Sequence, residues 1–177
     1  MSTRDAHEAS PTVIALQPGE GDARWFLGAL LTIKSSAATT DGSVAVIEHH
    51  APQGHGSPLH VHHNEDEWFY VTEGELTFWT GGQVTTAPAG SFVYLPRDVP
   101  HTFVVEGDRP ARMLTLLTPG GGEGVFVEGG RQPDGDGLPP ATPPDIEKLK
   151  QVSARFGAEI VGPPIAPRGL QPSAEPR

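Results

Sequence analysis

The sequence predicts an all-β fold, a sandwich or barrel of short strands. Three observations carry that prediction. Glycine (22) and proline (19) are abundant while only 36% of the 177 residues are apolar, a composition that favours short elements joined by turns. About eight runs of β-formers recur between residues 25 and 118, at the spacing of all-β domains. Helical periodicity of any length is confined to one segment past residue 140.

The elements follow in order. WFLGALLTIK, Trp25 to Lys34, reads as one apolar strand that pairs with or covers a sheet edge. SVAVIEHH is a strand, APQGHGSP a turn, and LHVH opens the next strand. EWFYVTEGELTFW is a hairpin turning at Glu73-Gly74. GGQVTTAPAG gives a turn, a strand and a turn, SFVYL and HTFVVE flank LPRDVP, and RMLTLLT is the last strand. Gly120 to Gly124 lack the spacing and the following helix of a phosphate cradle, so a flexible loop is expected. TPPDIEKLKQVSARFG predicts a helix over 143–156, with Thr142 as N-cap, Pro143 at the first helical position and Gly157 as the stop. Its stripe of Ile146, Leu149, Val152 and Phe156 packs on the β-domain. The expected organisation is a polar arm over 1–22, the β-domain over 23–118, and a Gly/Pro-rich linker, helix and loose tail over 119–177.

Charge and composition exclude several function classes. A net charge of −10 disfavours phosphate backbones, so no nucleic-acid partner is expected. No basic amphipathic segment suggests a membrane surface, and the longest apolar run, Trp25 to Leu31, is too short to span one. The first residues lack an apolar signal segment, so a soluble cytoplasmic protein is expected. The chain has no cysteine, so a metal site must be built from histidine and carboxylate.

The segment HVHHNEDEWFYVTEG concentrates that chemistry. Alternation along a strand puts His60 and His62 on one face. Glu67 opens the next strand on the face of Phe69 and Val71, while Trp68 and Tyr70 point away. An inward carboxylate is costly unless it is paired or binds a metal. His101 likewise heads a strand with Phe103 and Val105 on its face. His60, His62, Glu67 and His101 therefore make a donor set for one divalent first-row metal with a position left open: Fe, Mn, Ni, Co, Cu or Zn.

The spacings of these residues resemble the cupins. The first cupin motif, G-x5-H-x-H-x(3,4)-E-x6-G, is met in full by Gly54, His60, His62, Glu67 and Gly74. The second, G-x5-P-x-G-x2-H-x3-N, is met by Gly90, Pro96 and His101, with Asp98 and Val105 in place of Gly and Asn. Both departures fall at turn or structural positions, and Asp tolerates left-handed backbone better than most residues. The resemblance covers residues 43–118. It implies a single jelly-roll barrel, a double-stranded β-helix, with the same four residues as metal ligands. It also implies a homodimer paired through its sheets.

Similarity to quercetinase-like cupins implies a dioxygenase acting on a phenolic or enolic small molecule with O2, with Glu67 as both ligand and proton acceptor. The same ligand set also suits a redox-neutral isomerase, lyase or polyketide-cyclase-like enzyme, and a non-catalytic binding protein keeps the same shape. Phe69 and Phe103, each two residues past a ligand, are the expected pocket walls, with His55 at the lip. Glu48 and His50 share a strand face and are expected either to back the ligands or to face the surface or a partner, while His49 faces the other way and takes no role. His63 faces solvent, and Glu65 and Asp66 form a solvated acidic turn. Ser57 lacks the strand-turn-helix context of a nucleophile.

Overall fold

The computed structural model describes residues 13–168. Its strands are β1 (Asp22–Phe26), β2 (Ala29–Ser35), β3 (Ala45–Ala51), β4 (Leu59–His62), β5 (Asp66–Glu73), β6 (Glu75–Thr80), β7 (Gln83–Pro88), β8 (Phe92–Leu95), β9 (His101–Val105), β10 (Ala111–Thr118) and β11 (Ala158–Gly162). Two helices, α1 (Gly124–Gly129) and α2 (Ile146–Arg155), lie between β10 and β11. The strands form two antiparallel sheets, ordered β1-β2-β3-β10-β5-β8 and β11-β4-β9-β6-β7. The result is an all-β jelly roll, the all-β class as the strand pattern predicts and the jelly roll as the cupin resemblance implies.

Alternation sets the inside. In β3, Ala45, Ile47, His49 and Ala51 are buried and the residues between them are only partly so. In β10, Ala111, Met113, Thr115 and Leu117 are buried. The apolar ones among them meet Phe69, Val71, Leu76, Phe78, Phe103 and Val105 in one continuous core. Phe69, Phe78 and Phe103 pack edge-on or tilted, with centroids 5.0 to 5.9 Å apart, the geometry that ring quadrupoles favour. Gly74 turns β5 into β6 at φ 79°. A Cβ there would sit 2.9 Å from that of Ala111, so both backbone and space require glycine.

Several expectations are corrected. Trp25 to Lys34 is a hairpin, because Leu27 and Gly28 both take positive φ, 51° and 94°, the signature of a tight two-residue turn. The C-terminal helix starts at Ile146, with Asp145 as N-cap accepting from Lys148 N at 3.0 Å. A residue before proline resists helical backbone, and two consecutive prolines, Pro143 and Pro144, therefore delay the start. A short helix, α1, follows the glycines at 120–124 after all. Gly157 ends α2 at φ 72°, and the chain then forms β11, a strand the sequence reading leaves as tail. The N-terminal arm over 1–12 and the tail over 169–177 lie outside the described residues. No described helix is long and apolar enough to cross a membrane.

Candidate metal centre

β4 and β9 are neighbours, with His60 directly opposite His101. β11 pairs with the other edge of β4, Ile160 opposite His60 and Ala158 opposite His62. Glu67 projects from β5 in the facing sheet. The loop before β4 is laced onto β9: Val105 N donates to His55 O at 2.7 Å and Thr102 Oγ1 donates to Ser57 O at 2.6 Å. This fixes β4 beside β9 and so brings the three histidines together.

One donor atom from each of His60, His62, Glu67 and His101 lies within 4.8 Å of all the others. The four residues singled out from spacing thus converge, and the rear of two of the three rings is hydrogen-bonded. His60 Nδ1 lies 2.8 Å from Pro58 O, and His101 Nδ1 2.8 Å from Val99 O. A carbonyl can only accept, so both Nδ1 atoms carry hydrogen and both Nε2 lone pairs are free when the rings are neutral. His62 Nδ1 faces Glu65 Oε2 at 3.6 Å. On the inner side Glu67 Oε2 is 3.0 Å from His101 Nε2 and 3.8 Å from His62 Nε2. Three ring nitrogens and one carboxylate oxygen, the rings oriented from behind by acceptors, fit a divalent transition metal.

The electrostatics agree. Burial alone would raise the Glu67 carboxyl. The close His101 Nε2 and the neighbouring His62 and His60 imidazoles overcome it and hold the group down to about 2. Burial, with the neighbouring His101 and His62, pushes His60 down to about 3. Burial opposes the charge on His62, yet Glu65 and Glu67 outweigh it and raise that ring. A buried, ionised carboxylate beside imidazoles is the arrangement a bound cation stabilises.

In front of the four clustered residues lies a mostly apolar cavity, open on one side and walled by Phe26, Leu31, Val125, Phe126, Leu149 and Ile160. β11 and both helices therefore build its far side, a role the sequence reading does not give them. Phe103 and His55 line the cavity, their rings 6.0 Å apart. Burial pushes His55 down to about 4, against a backbone hydrogen bond with Leu27. Phe69 does not line it; it lies deeper in the core against Phe78 and Phe103. Ser57 Oγ accepts from Phe103 N at 3.3 Å, a structural contact.

Other placements differ from expectation. Glu48 and His50 are on the outer face of β3. Glu48 pairs with Lys34 at 2.9 Å and Arg112 at 3.4 Å, so neither backs the ligands. His49, on the opposite face, lines the cavity. The signal for it is parity, since it shares the odd positions of β3 with Ala45, Ile47 and Ala51. Glu65 is not solvated but 3% exposed. No spacing distinguishes such a carboxylate from a surface turn. Asp66 does face outward and binds Arg97. His63, half exposed, bonds Asp98 at 2.7 Å, and Asp98 takes φ 63° as its place in the turn requires.

The model of the cupin domain matches residues 46–117, a span that begins in β3, ends in β10 and contains all four clustered residues. Residues 46–117 form a cupin domain. A 105-residue stretch is 31% identical to the quercetin 2,3-dioxygenase of Bacillus subtilis, covering 59% of this chain and 31% of that one. The chain thus spans about a third of the length of that relative. Among solved structures, a predicted oxalate decarboxylase from Thermotoga maritima superimposes with a TM-score of 0.55 at 18% identity, covering 59% of this chain and 98% of that one. A variant of the Bacillus subtilis oxalate decarboxylase gives 0.51 at 18% identity, over 57% of this chain and 28% of that one. At such identities the structural likeness speaks for the cupin fold alone.

Proposed function

We propose that this cupin is a mononuclear metal-dependent dioxygenase of the quercetinase type, acting with O2 on a phenolic or enolic small molecule. The observation that carries the reading is the four-ligand cluster at the floor of a mostly apolar cavity. The quercetin 2,3-dioxygenase relative supports the choice of chemistry. A divalent transition metal held by His60, His62, Glu67 and His101 would supply an electrophilic centre for a substrate oxygen and O2.

The remaining work falls to the protein. The Pro58 and Val99 carbonyls orient the His60 and His101 rings, and Glu65 stands behind His62. Glu67, ionised at neutral pH, has a second carboxylate oxygen that can accept the proton of an acidic phenol or enol. Phe103 and the apolar side chains from β2, α1, α2 and β11 exclude water from the flat body of the substrate.

We also infer a homodimer in which the outer face of the six-stranded sheet is covered. Tyr70 and Tyr94 are each 46% exposed and Phe92 is 62% exposed there, and Trp68 stacks on Tyr94 at 4.3 Å. Contiguous aromatics on a sheet face mark an association surface.

An oxygen electrode tests the activity. Metal-loaded protein with flavonols and simpler phenols should take up O2 in proportion to substrate consumed, and Glu67→Ala should not. Substrate loss without O2 uptake would replace the dioxygenase with an isomerase or lyase, and binding without turnover would leave a binding protein.

A further inference from the structure

We propose that His49 is the polar recognition group of the cavity, hydrogen-bonding a neutral hydroxyl or carbonyl oxygen on an otherwise flat apolar ligand. It rests on the reading of the cavity as a substrate site, and extends it to a residue outside the metal cluster.

His49 is 6% exposed, yet it lies on the cavity wall. Neither of its ring nitrogens has a hydrogen-bond partner within the protein. Buried polar atoms are nearly always partnered, and leaving one unpartnered costs about 1–3 kcal/mol. A purely structural histidine at this position in β3 would be an expensive choice beside Ala45, Ile47 and Ala51. Its ring meets Phe126 edge-on at 5.9 Å, and Phe126 is itself on the cavity wall, so a hydrogen-bond partner would come from the cavity.

The chemistry of the partner follows from the ring. Burial holds His49 neutral, pushing it down to about 4, so it offers one N–H and one lone pair. A hydroxyl can donate to the lone pair, and a hydroxyl or carbonyl can accept from the N–H. A carboxylate would find no compensating charge in a neutral ring. A ligand cation would be drawn to the Glu67 carboxylate on the cavity floor rather than to a neutral ring. Phe103, Leu31 and Phe126 around the cavity demand an apolar body. A hydroxylated aromatic or an enolised dicarbonyl meets both demands.

The test uses a matched probe pair, 2-naphthol and 2-methylnaphthalene, bound to zinc-loaded full-length protein and followed by probe fluorescence. Wild type should prefer the hydroxyl compound. His49→Phe, which keeps a flat ring without nitrogens, should reduce that preference by about tenfold, the worth of one buried hydrogen bond. His49→Gln, which keeps a donor and an acceptor, should retain most of it. Any direct contact of the naphthol oxygen with zinc is common to all three proteins and drops out of the comparison. Without probe, His49→Phe should also melt a few degrees above wild type, because two unpartnered nitrogens are gone. A preference that survives His49→Phe, an equal affinity for the pair in wild type, or no binding of either probe overturns the inference. O2 uptake is read separately, so loss of the dioxygenase reading and loss of the His49 role give different results.

Discussion

The carbonyls behind His60 and His101 and the carboxylate behind His62 decide what the imidazoles can do, because a ring tied at Nδ1 offers Nε2 inward. Glu65→Gln removes the charge behind His62 while keeping the shape. It should weaken metal binding by about 10–100-fold, read in a competition titration with a chelator, with the fold unchanged. His49 governs a different property. Below pH 6.5 an unfolded chain protonates this ring, while burial keeps the folded ring neutral to about pH 4, against the opposing pull of Glu67 and with the help of His55. The folded state therefore binds fewer protons in that window, and stability falls as pH falls through it. One such residue is worth about 3 kcal/mol across the window. Denaturant melts at pH 7 and pH 4.5 should show a smaller loss for His49→Phe than for wild type. At this scale the sequence is legible where spacing carries meaning: the four residues that cluster follow from strand alternation and the cupin motifs. It is not legible for Glu65, whose burial depends on the packing of the glycines at 121 and 122 over it. Nor is it for Glu48 and His50, whose assignment needs the inward parity of β3.

At the scale of elements, β11 is the piece that closes the site. It covers the edge of β4 that carries His60 and His62 and supplies Ala158 and Ile160 to the cavity. Its position depends on Gly157, where the chain leaves α2 at φ 72° and a Cβ would lie 2.1 Å from Asn64 Nδ2. Gly157→Ala should cost about 1–3 kcal/mol in a denaturant melt and loosen β11. Hydrogen exchange should show faster exchange at His63 N, which donates to Gly157 O at 2.8 Å. The β-domain elements are readable because their turns are glycine-marked and their alternation is strong. β11 is not, because AEIVG is five residues after a helix stop and its pairing partner is nearly a hundred residues away in sequence. The hairpin at Leu27-Gly28 is missed for a related reason: leucine does not advertise a positive φ.

For the whole molecule, the two sheets divide the labour. The inner faces hold core, cavity and ligands, and the outer face of the six-stranded sheet displays the aromatics of β5 and β8. Tyr94→Glu with Phe92→Glu should shift sedimentation from dimer to monomer while leaving metal content intact. A wild type that sediments as a monomer at micromolar concentration would remove the dimer. The central claim is that one divalent metal sits on His60, His62, Glu67 and His101. The most direct test is elemental mass spectrometry on untagged protein purified without chelators or nickel resin. Wild type should carry about one transition metal per chain, and folded His60→Ala and Glu67→Ala should carry little. Wild type with no metal, and none taken up on reconstitution, or both variants at full occupancy, would contradict the assignment.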